Sequence, residues 1–175
     1  MKMTLEAKVP PPVVALTTAL IIWGISRLAP LLAIPSGARV AISLLIVVIG
    51  VAFSATGILS FRRVRTTVNP TRPDEASVLV STGIYRVTRN PMYVGLLLVL
   101  VAWAVFLASA WALLGVAGFV LYMNRFQIAP EERALSRLFG SEYASYKARV
   151  NRGHSIKRTC LDTLDPPAPT VHVER

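Results

Sequence analysis

Two stretches of the chain hold most of the side chains able to do chemistry. The first runs Leu79-Val80-Ser81-Thr82-Gly83-Ile84-Tyr85-Arg86-Val87-Thr88-Arg89-Asn90-Pro91-Met92-Tyr93-Val94-Gly95. The second opens with Glu131-Glu132-Arg133-Ala134-Leu135 and continues through Phe139-Gly140 to Tyr143 and Tyr146. Carboxylates just past an apolar stretch can meet a cationic ligand at a membrane edge. They can equally be first-turn acids that favour a helix dipole. Arg89 and Arg125 flank the uncharged stretch between the two segments, where arginines commonly snorkel to lipid phosphates. Tyr85 and Tyr93 suit a site or an interfacial aromatic belt. Asn90-Pro91 is a turn that starts a helix. Metal chemistry has no ligand set: the only cysteine is Cys160 and the only histidines are His154 and His172.

The elements that position these residues follow from the charge pattern. Charged residues are 16% of the 175, against about 25% in soluble domains, and the mean hydropathy is +0.55. No charge falls between Val9 and Ser26, between Val40 and Phe61, or between Asn90 and Asn124. The net charge of +10 therefore sits in the gaps, which argues for a membrane bundle and against nucleic-acid binding. The first span is expected at about 13–29, opened by Pro10-Pro11-Pro12 and closed by Pro30 and Pro35. The opening prolines, with no small-residue cleavage site close behind, read as this span rather than as a cleaved signal. The second is expected at about 39–61, with Gly37 leading in. Arg62 to Asn90 holds six arginines, two acids, Pro70 and Pro73, and reads as a surface loop.

Met92 to Asn124 would run roughly 50 Å as one helix, well past a hydrocarbon core of about 30 Å. It must fold back, with Ser109 capping the second arm, to give spans at about 92–108 and 111–127. Four spans place both termini and the 62–90 loop on one side, with every positive charge except Arg27 and Arg39. That side is cytoplasmic. From about 131 to 150, Leu135, Leu138, Phe139, Tyr143, Tyr146 and Val150 form one helical stripe, an amphipathic helix on the membrane surface or on the bundle. Residues 153–175 read as a disordered tail after a membrane domain of 1–152. The fold class is an all-α integral membrane protein, a four-transmembrane-helix bundle with a C-terminal cytoplasmic amphipathic helix.

Taken together the two segments are specific. Gly-x-Tyr-x-x-x-Arg-Asn-Pro-x-Tyr-x-Gly, a hydrophobic hairpin, then Glu-Glu-x-x-Leu-x-x-x-Phe-Gly-x-x-Tyr-x-x-Tyr resembles the isoprenylcysteine carboxyl methyltransferase and phospholipid methyltransferase family. Arg65-Thr66-Thr67-Val68-Asn69-Pro70 is similar to a loop of its bacterial members, and the resemblance covers roughly residues 50–152. It implies an S-adenosylmethionine-dependent methyltransferase of the bacterial inner membrane, with the cofactor in a cytoplasm-facing pocket. Leu79, Val80 and Tyr85 would line that pocket. Asn90, Pro91, Met92 and Tyr93 would cradle the cofactor, partly through backbone groups. Glu131 would hold its polar or cationic end, with Glu132 beside it. Arg89 and Arg125 are the basic residues placed to orient the acceptor, although Arg125 stands six positions before Glu131 and Gln127 occupies the position four before. The partners implied are the lipid bilayer and a hydrophobic or lipid-like acceptor reaching the site between helices, near Tyr93 and Phe126.

Asn90 departs from the family, since many members have histidine there. Asparagine cannot act as a base near neutral pH but can hydrogen-bond. A carboxylate acceptor needs no base, and a thiol can ionise beforehand, so these are favoured over an amine. Two other classes compete. Sterol reductases share a similar Arg-His-Pro-x-Tyr region and use a nicotinamide cofactor, but the Glu-Glu pair and the small number of spans favour the methyltransferase. A non-catalytic scaffold or small transporter would explain the hydropathy alone, but transporters place ionisable groups within spans, and these spans have none away from their ends.

Overall fold

A computed structural model describes residues 9–28, 32–63 and 79–150. The Arg65–Pro70 string, most of the arginine-rich loop, Cys160, both histidines and the expected tail lie outside the described residues. Five α-helices follow in order: α1 (Pro11–Leu28), α2 (Ser36–Arg63), α3 (Pro91–Phe106), α4 (Ala112–Met123) and α5 (Ala129–Arg149). A short 3-10 helix, Gly83–Arg86, precedes α3, and a π-helical turn, Asn124–Ile128, joins α4 to α5. No strand is present among the described residues.

Proline sets the helix starts. Pro11 opens α1, and the Pro10 carbonyl accepts from Val13 N at 2.9 Å. Pro91 opens α3, where a missing N–H is harmless. Helix α2 starts earlier than expected, at Ser36 with Gly37 inside it, because the Pro35 carbonyl accepts from Arg39 N at 3.1 Å and closes a turn before the charge. It also runs to Arg63, so the loop begins later than the charges suggested.

Three helices are long and apolar enough to cross a membrane: Pro11–Leu28, Ser36–Arg63 and the continuous Ala112–Arg149. The last is apolar only over 112–128, since seven of the 21 residues of α5 are charged. Helix α3 is equally apolar but has 16 residues, about 24 Å.

The α3–α4 reversal corrects one expectation. Ser109 does not cap α4 through its side chain; its hydroxyl is buried without a partner, and its backbone carbonyl accepts from Ala112 N at 3.2 Å. The turn is made by Ala108, which adopts a left-handed φ of 49°. Leu32 N donates to the Ala108 carbonyl at 2.7 Å, so the α1–α2 connection and this turn share one end of the bundle. Val9 meets Gln127 at the other end.

Small residues let the helices approach. A Cβ on Gly50 would lie 2.9 Å from the Gly95 carbonyl oxygen, and one on Gly57 would meet Met92 and Pro91 at 3.0 and 3.2 Å. Gly95 in the sequence motif is therefore a packing residue: it lets α3 lie against Gly50 and Ser54 of α2, as small residues do between membrane helices. Ile22 fills the space left by Gly115 and is fully buried. Trp103 Nε1 donates to the Ala19 carbonyl at 3.1 Å and ties α3 to α1. The core of this bundle runs through Ile22, Tyr93, Leu100, Val116, Phe119 and Met123.

Candidate active site

The two chemistry-bearing segments meet at the end of the α3–α4 hairpin. Their shared floor is a second core of Val80, Tyr85, Tyr143, Tyr146 and Val150, with Phe61, Leu79, Leu135 and Phe139 packed on it. The Tyr146 hydroxyl donates to the Tyr85 carbonyl at 2.8 Å, across 61 residues of sequence. Phe61 meets the Tyr85 ring edge to face, with centroids 5.4 Å apart. Most of the expected stripe on α5 thus faces protein rather than lipid, while Leu138 is 45% exposed. Gly140 has φ 47° and ψ −117°, which breaks α5 and turns its two tyrosines inward.

On this floor sit two acidic side chains with different partners. The Tyr93 hydroxyl donates to Glu131 Oε2 at 2.9 Å, bridging 38 residues. Arg89 Nη1 lies 2.9 Å from Glu132 Oε1, and both side chains are only 8% exposed. Lys147 Nζ stands 3.9 Å from the other Glu132 oxygen. Arg89 also lies close enough to Tyr143 for its charge to favour the ionised phenol.

Electrostatics separate the groups. Burial pushes the Glu131 carboxyl up to about 7; the Tyr93 hydrogen bond pulls it down, and the neighbouring Glu132 charge pushes it further up. Burial likewise raises Tyr143 to about 12, Glu132 adds to this, and Arg89 opposes it. The Tyr85 and Tyr146 hydroxyls are raised beyond the ordinary phenol range, chiefly by burial. These tyrosines are therefore neutral donors, whereas Glu131 is raised into the range near neutrality.

Asn90 behaves unexpectedly. It occupies the N-cap of α3, yet its side chain makes no capping bond. It is 8% exposed, and its Nδ2 has no hydrogen-bond partner. It borders a cavity of about 40 Å³, whose walls include Tyr93, Val94, Leu97, Phe119 and Met123 from the facing helices. A buried donor without a partner is costly in a finished core, and intelligible in a site that a ligand completes.

The structure gathers Leu79, Val80, Tyr85, Arg89, Asn90, Tyr93, Glu131 and Glu132 at this junction, with Pro91 buried and Met92 against α2. Arg125 does not line the Asn90 cavity; it is exposed, 5.6 Å over the Phe126 ring. In the sequence Gln127 stands out only as a mismatch to the motif. Gln127 is 1% exposed on the π turn, donates to the Val9 carbonyl at 2.6 Å and leaves its own oxygen without a partner. Nothing in its spacing signals this, because a π turn shifts register in a way that periodicity does not reveal.

Comparison with known proteins places this geometry. The phospholipid methyltransferase family model matches residues 38–142, which take in Arg89, the Asn90–Tyr93 turn and both glutamates. An uncharacterized protein of Haemophilus influenzae is 51% identical over 61 residues, 35% of this chain and 97% of its own length. Protein-S-isoprenylcysteine O-methyltransferase B of Arabidopsis thaliana is 30% identical over 110 residues, 63% of this chain and 56% of its own. A probable protein-S-isoprenylcysteine O-methyltransferase of Oryza sativa subsp. indica is 30% identical over 115 residues, 64% of this chain and 59% of its own. The chain thus spans little more than half the length of these plant relatives, and no solved structure matches it. With the family model covering more than half of the chain and the motif residues meeting in space, the chain belongs to the phospholipid methyltransferase family.

Proposed function

We propose that the protein is an integral membrane methyltransferase using S-adenosylmethionine, with α1, α2, α3 and the 112–128 stretch as four crossings and the site on the cytoplasmic side. The observation that carries the reading is the Tyr93–Glu131 bond beside the buried Arg89–Glu132 pair, at the junction where the apolar hairpin ends. The donor set fits the cofactor: a carboxylate steadied by a phenol, an aromatic floor and a buried amide awaiting an acceptor. When bound, S-adenosylmethionine supplies a methyl group on a sulfonium.

The chain's own residues then position the partners. Glu131 holds the cationic or polar end of the cofactor, and Tyr93 fixes that carboxylate. Leu79, Val80 and Tyr85 wall the pocket, and the backbone of 90–92 cradles the ligand. Arg89, locked by Glu132, is a positioning residue. The Asn90 amide meets a hydrogen-bond acceptor on the cofactor, and Arg125 at the membrane edge meets the anionic end of the methyl acceptor. This favours a carboxylate or thiolate on an apolar chain. A lipid amine is the second reading, motivated by Glu131, which at about 7 can take a proton that an amine must lose.

Calorimetric titration of S-adenosylhomocysteine into the detergent-solubilised protein tests the proposal, with Glu131→Ala alongside. Binding by the wild type that the variant loses is expected. A folded wild type that does not bind sinks the methyltransferase reading. Methyl transfer to hexadecanoate, hexadecanethiol or hexadecylamine then separates the acceptor classes.

A further inference from the structure

Glu132 borders a second cavity, of about 540 Å³, lined by Ala129, Glu132, Arg133, Ser136, Arg137 and Lys147. The kink in α5 builds it. In a straight helix, the fifteen residues between Glu132 and Lys147 would span about 22 Å. Gly140, at φ 47°, folds the helix so that Lys147 Nζ comes within 3.9 Å of Glu132 Oε2. Three cationic side chains thereby face one concave surface whose single carboxylate is also held by Arg89 at 2.9 Å. Arg133 and Arg137 stand four residues apart, so both guanidinium groups lie on one face of the helix. Both are exposed, and the Lys147 side chain is 51% exposed.

Depth and chemistry narrow the ligand. Ala129 is the first residue of α5, directly after the apolar stretch, and Arg137 is eight residues further, within about 12 Å. That is headgroup depth for a lipid of the adjacent leaflet. Guanidinium forks match phosphate oxygens in pairs, and a lysine adds a point charge. We propose that this pocket binds a phosphate group, supplied by the headgroup of an anionic membrane phospholipid. Its occupancy draws Lys147 towards the phosphate and leaves Arg89 as the close partner of Glu132, so headgroup composition reaches the neighbouring site.

The test compares the full-length protein in nanodiscs of phosphatidylcholine with and without phosphatidylglycerol, counting retained lipids by native mass spectrometry. The wild type is expected to retain phosphatidylglycerol preferentially. Arg133→Gln with Arg137→Gln should weaken retention about fivefold per arginine, roughly twenty-five-fold together. Arg62→Gln with Arg63→Gln, an equal charge change at the exposed end of α2, should leave it nearly unchanged. Equal losses from both pairs would mean a diffuse surface potential and overturn the pocket. Glycerol phosphate in detergent binding as tightly as the lipid would overturn the lipid source. Arg133→Lys with Arg137→Lys keeps the charge but loses the guanidinium forks and should restore only part of the retention; full restoration would show that charge alone suffices and overturn the fork-matched site. Loss of S-adenosylhomocysteine binding in the glutamine pair would place these cations in the cofactor site and overturn a separate one. Retention that follows the expected pattern in a protein that never binds S-adenosylhomocysteine would leave this pocket standing while the methyltransferase proposal fell.

Discussion

Replacing Tyr93 by phenylalanine tests the electrostatic reading of the site. The Glu131 carboxyl lies near 7 because burial raises it, while the bond from the Tyr93 hydroxyl at 2.9 Å holds it down. A hydrogen bond to the ionised form favours that form. Such a bond to a charged group is worth about 1.5–3 kcal/mol. At about 1.4 kcal/mol per pH unit, losing it lifts the carboxyl by one to two units. The assay is calorimetric affinity for S-adenosylmethionine across a pH series. Wild-type affinity should rise through about pH 7, as Glu131 ionises, and then level off. In Tyr93→Phe the same rise should come one to two units later, with affinities converging at the alkaline end. A midpoint that stays put or moves down would refute the assignment of Glu131 as the titrating contact, and a flat profile would remove Glu131 from the site.

The other expectations concern stability, read by thermal unfolding in detergent. Arg89→Met removes the close partner of a mostly buried Glu132 and should cost at most about 3–5 kcal/mol, whereas Arg89→Met with Glu132→Leu should recover most of it; additive losses would show that the pair is not coupled. Gly95→Ala drives a Cβ into Ser54 Oγ and the Gly50 carbonyl and should cost about 1–3 kcal/mol, while Gly118→Ala, with nothing within 4 Å, should be near neutral. Gly140→Ala meets no atom within 4 Å either, so its cost, again about 1–3 kcal/mol, must come from φ 47° alone; an unchanged midpoint would mean that the kink is not required. Glu131 carries its proton longer in the folded chain, near 7 against an ordinary 4.5, so its contribution is present below 4.5 and lost as the pH rises through 7. Glu131→Gln should remove that loss, gaining at most about 3 kcal/mol at mildly alkaline pH, and no gain would show the carboxyl to be better solvated than its burial implies.

The helices were legible because charge and proline mark their ends. The gaps at Arg27–Arg39 and Arg62–Arg89 separate α1, α2 and α3, and Pro11 and Pro91 stand at the first turns. The convergence of the two segments was legible too, since an uncharged stretch too long for one crossing must fold back. What lay beyond reach depends on three dimensions. A reversal through Ala108 in a left-handed conformation is not foreseeable where no glycine marks it, so Ser109 attracted the assignment instead. The kink at Gly140 leaves a helical stripe looking continuous in sequence while it turns Tyr143 and Tyr146 inward. Pairing is likewise invisible: nothing in Glu131-Glu132 says that one meets Tyr93 and the other Arg89.

That difference in partner is the strongest reason to read the junction as a site. A buried ion pair adds little net stability, and apolar side chains of similar volume would fill the same space as well. Here the pair does not stand alone. Adjacent residues on one helix carry like charges into a half-dry corner, at a cost that no packing need explains. Glu132 is paired with Arg89, its charge still raises Glu131, and among the described residues the Tyr93 phenol is what steadies Glu131. Two neighbouring carboxylates in unlike environments divide the work, one ion-paired and structural, the other poised to change charge near neutrality. Asn90, buried across from Glu131's partner Tyr93 with a donor that no described residue takes up, is where a bound group would complete the hydrogen bonding.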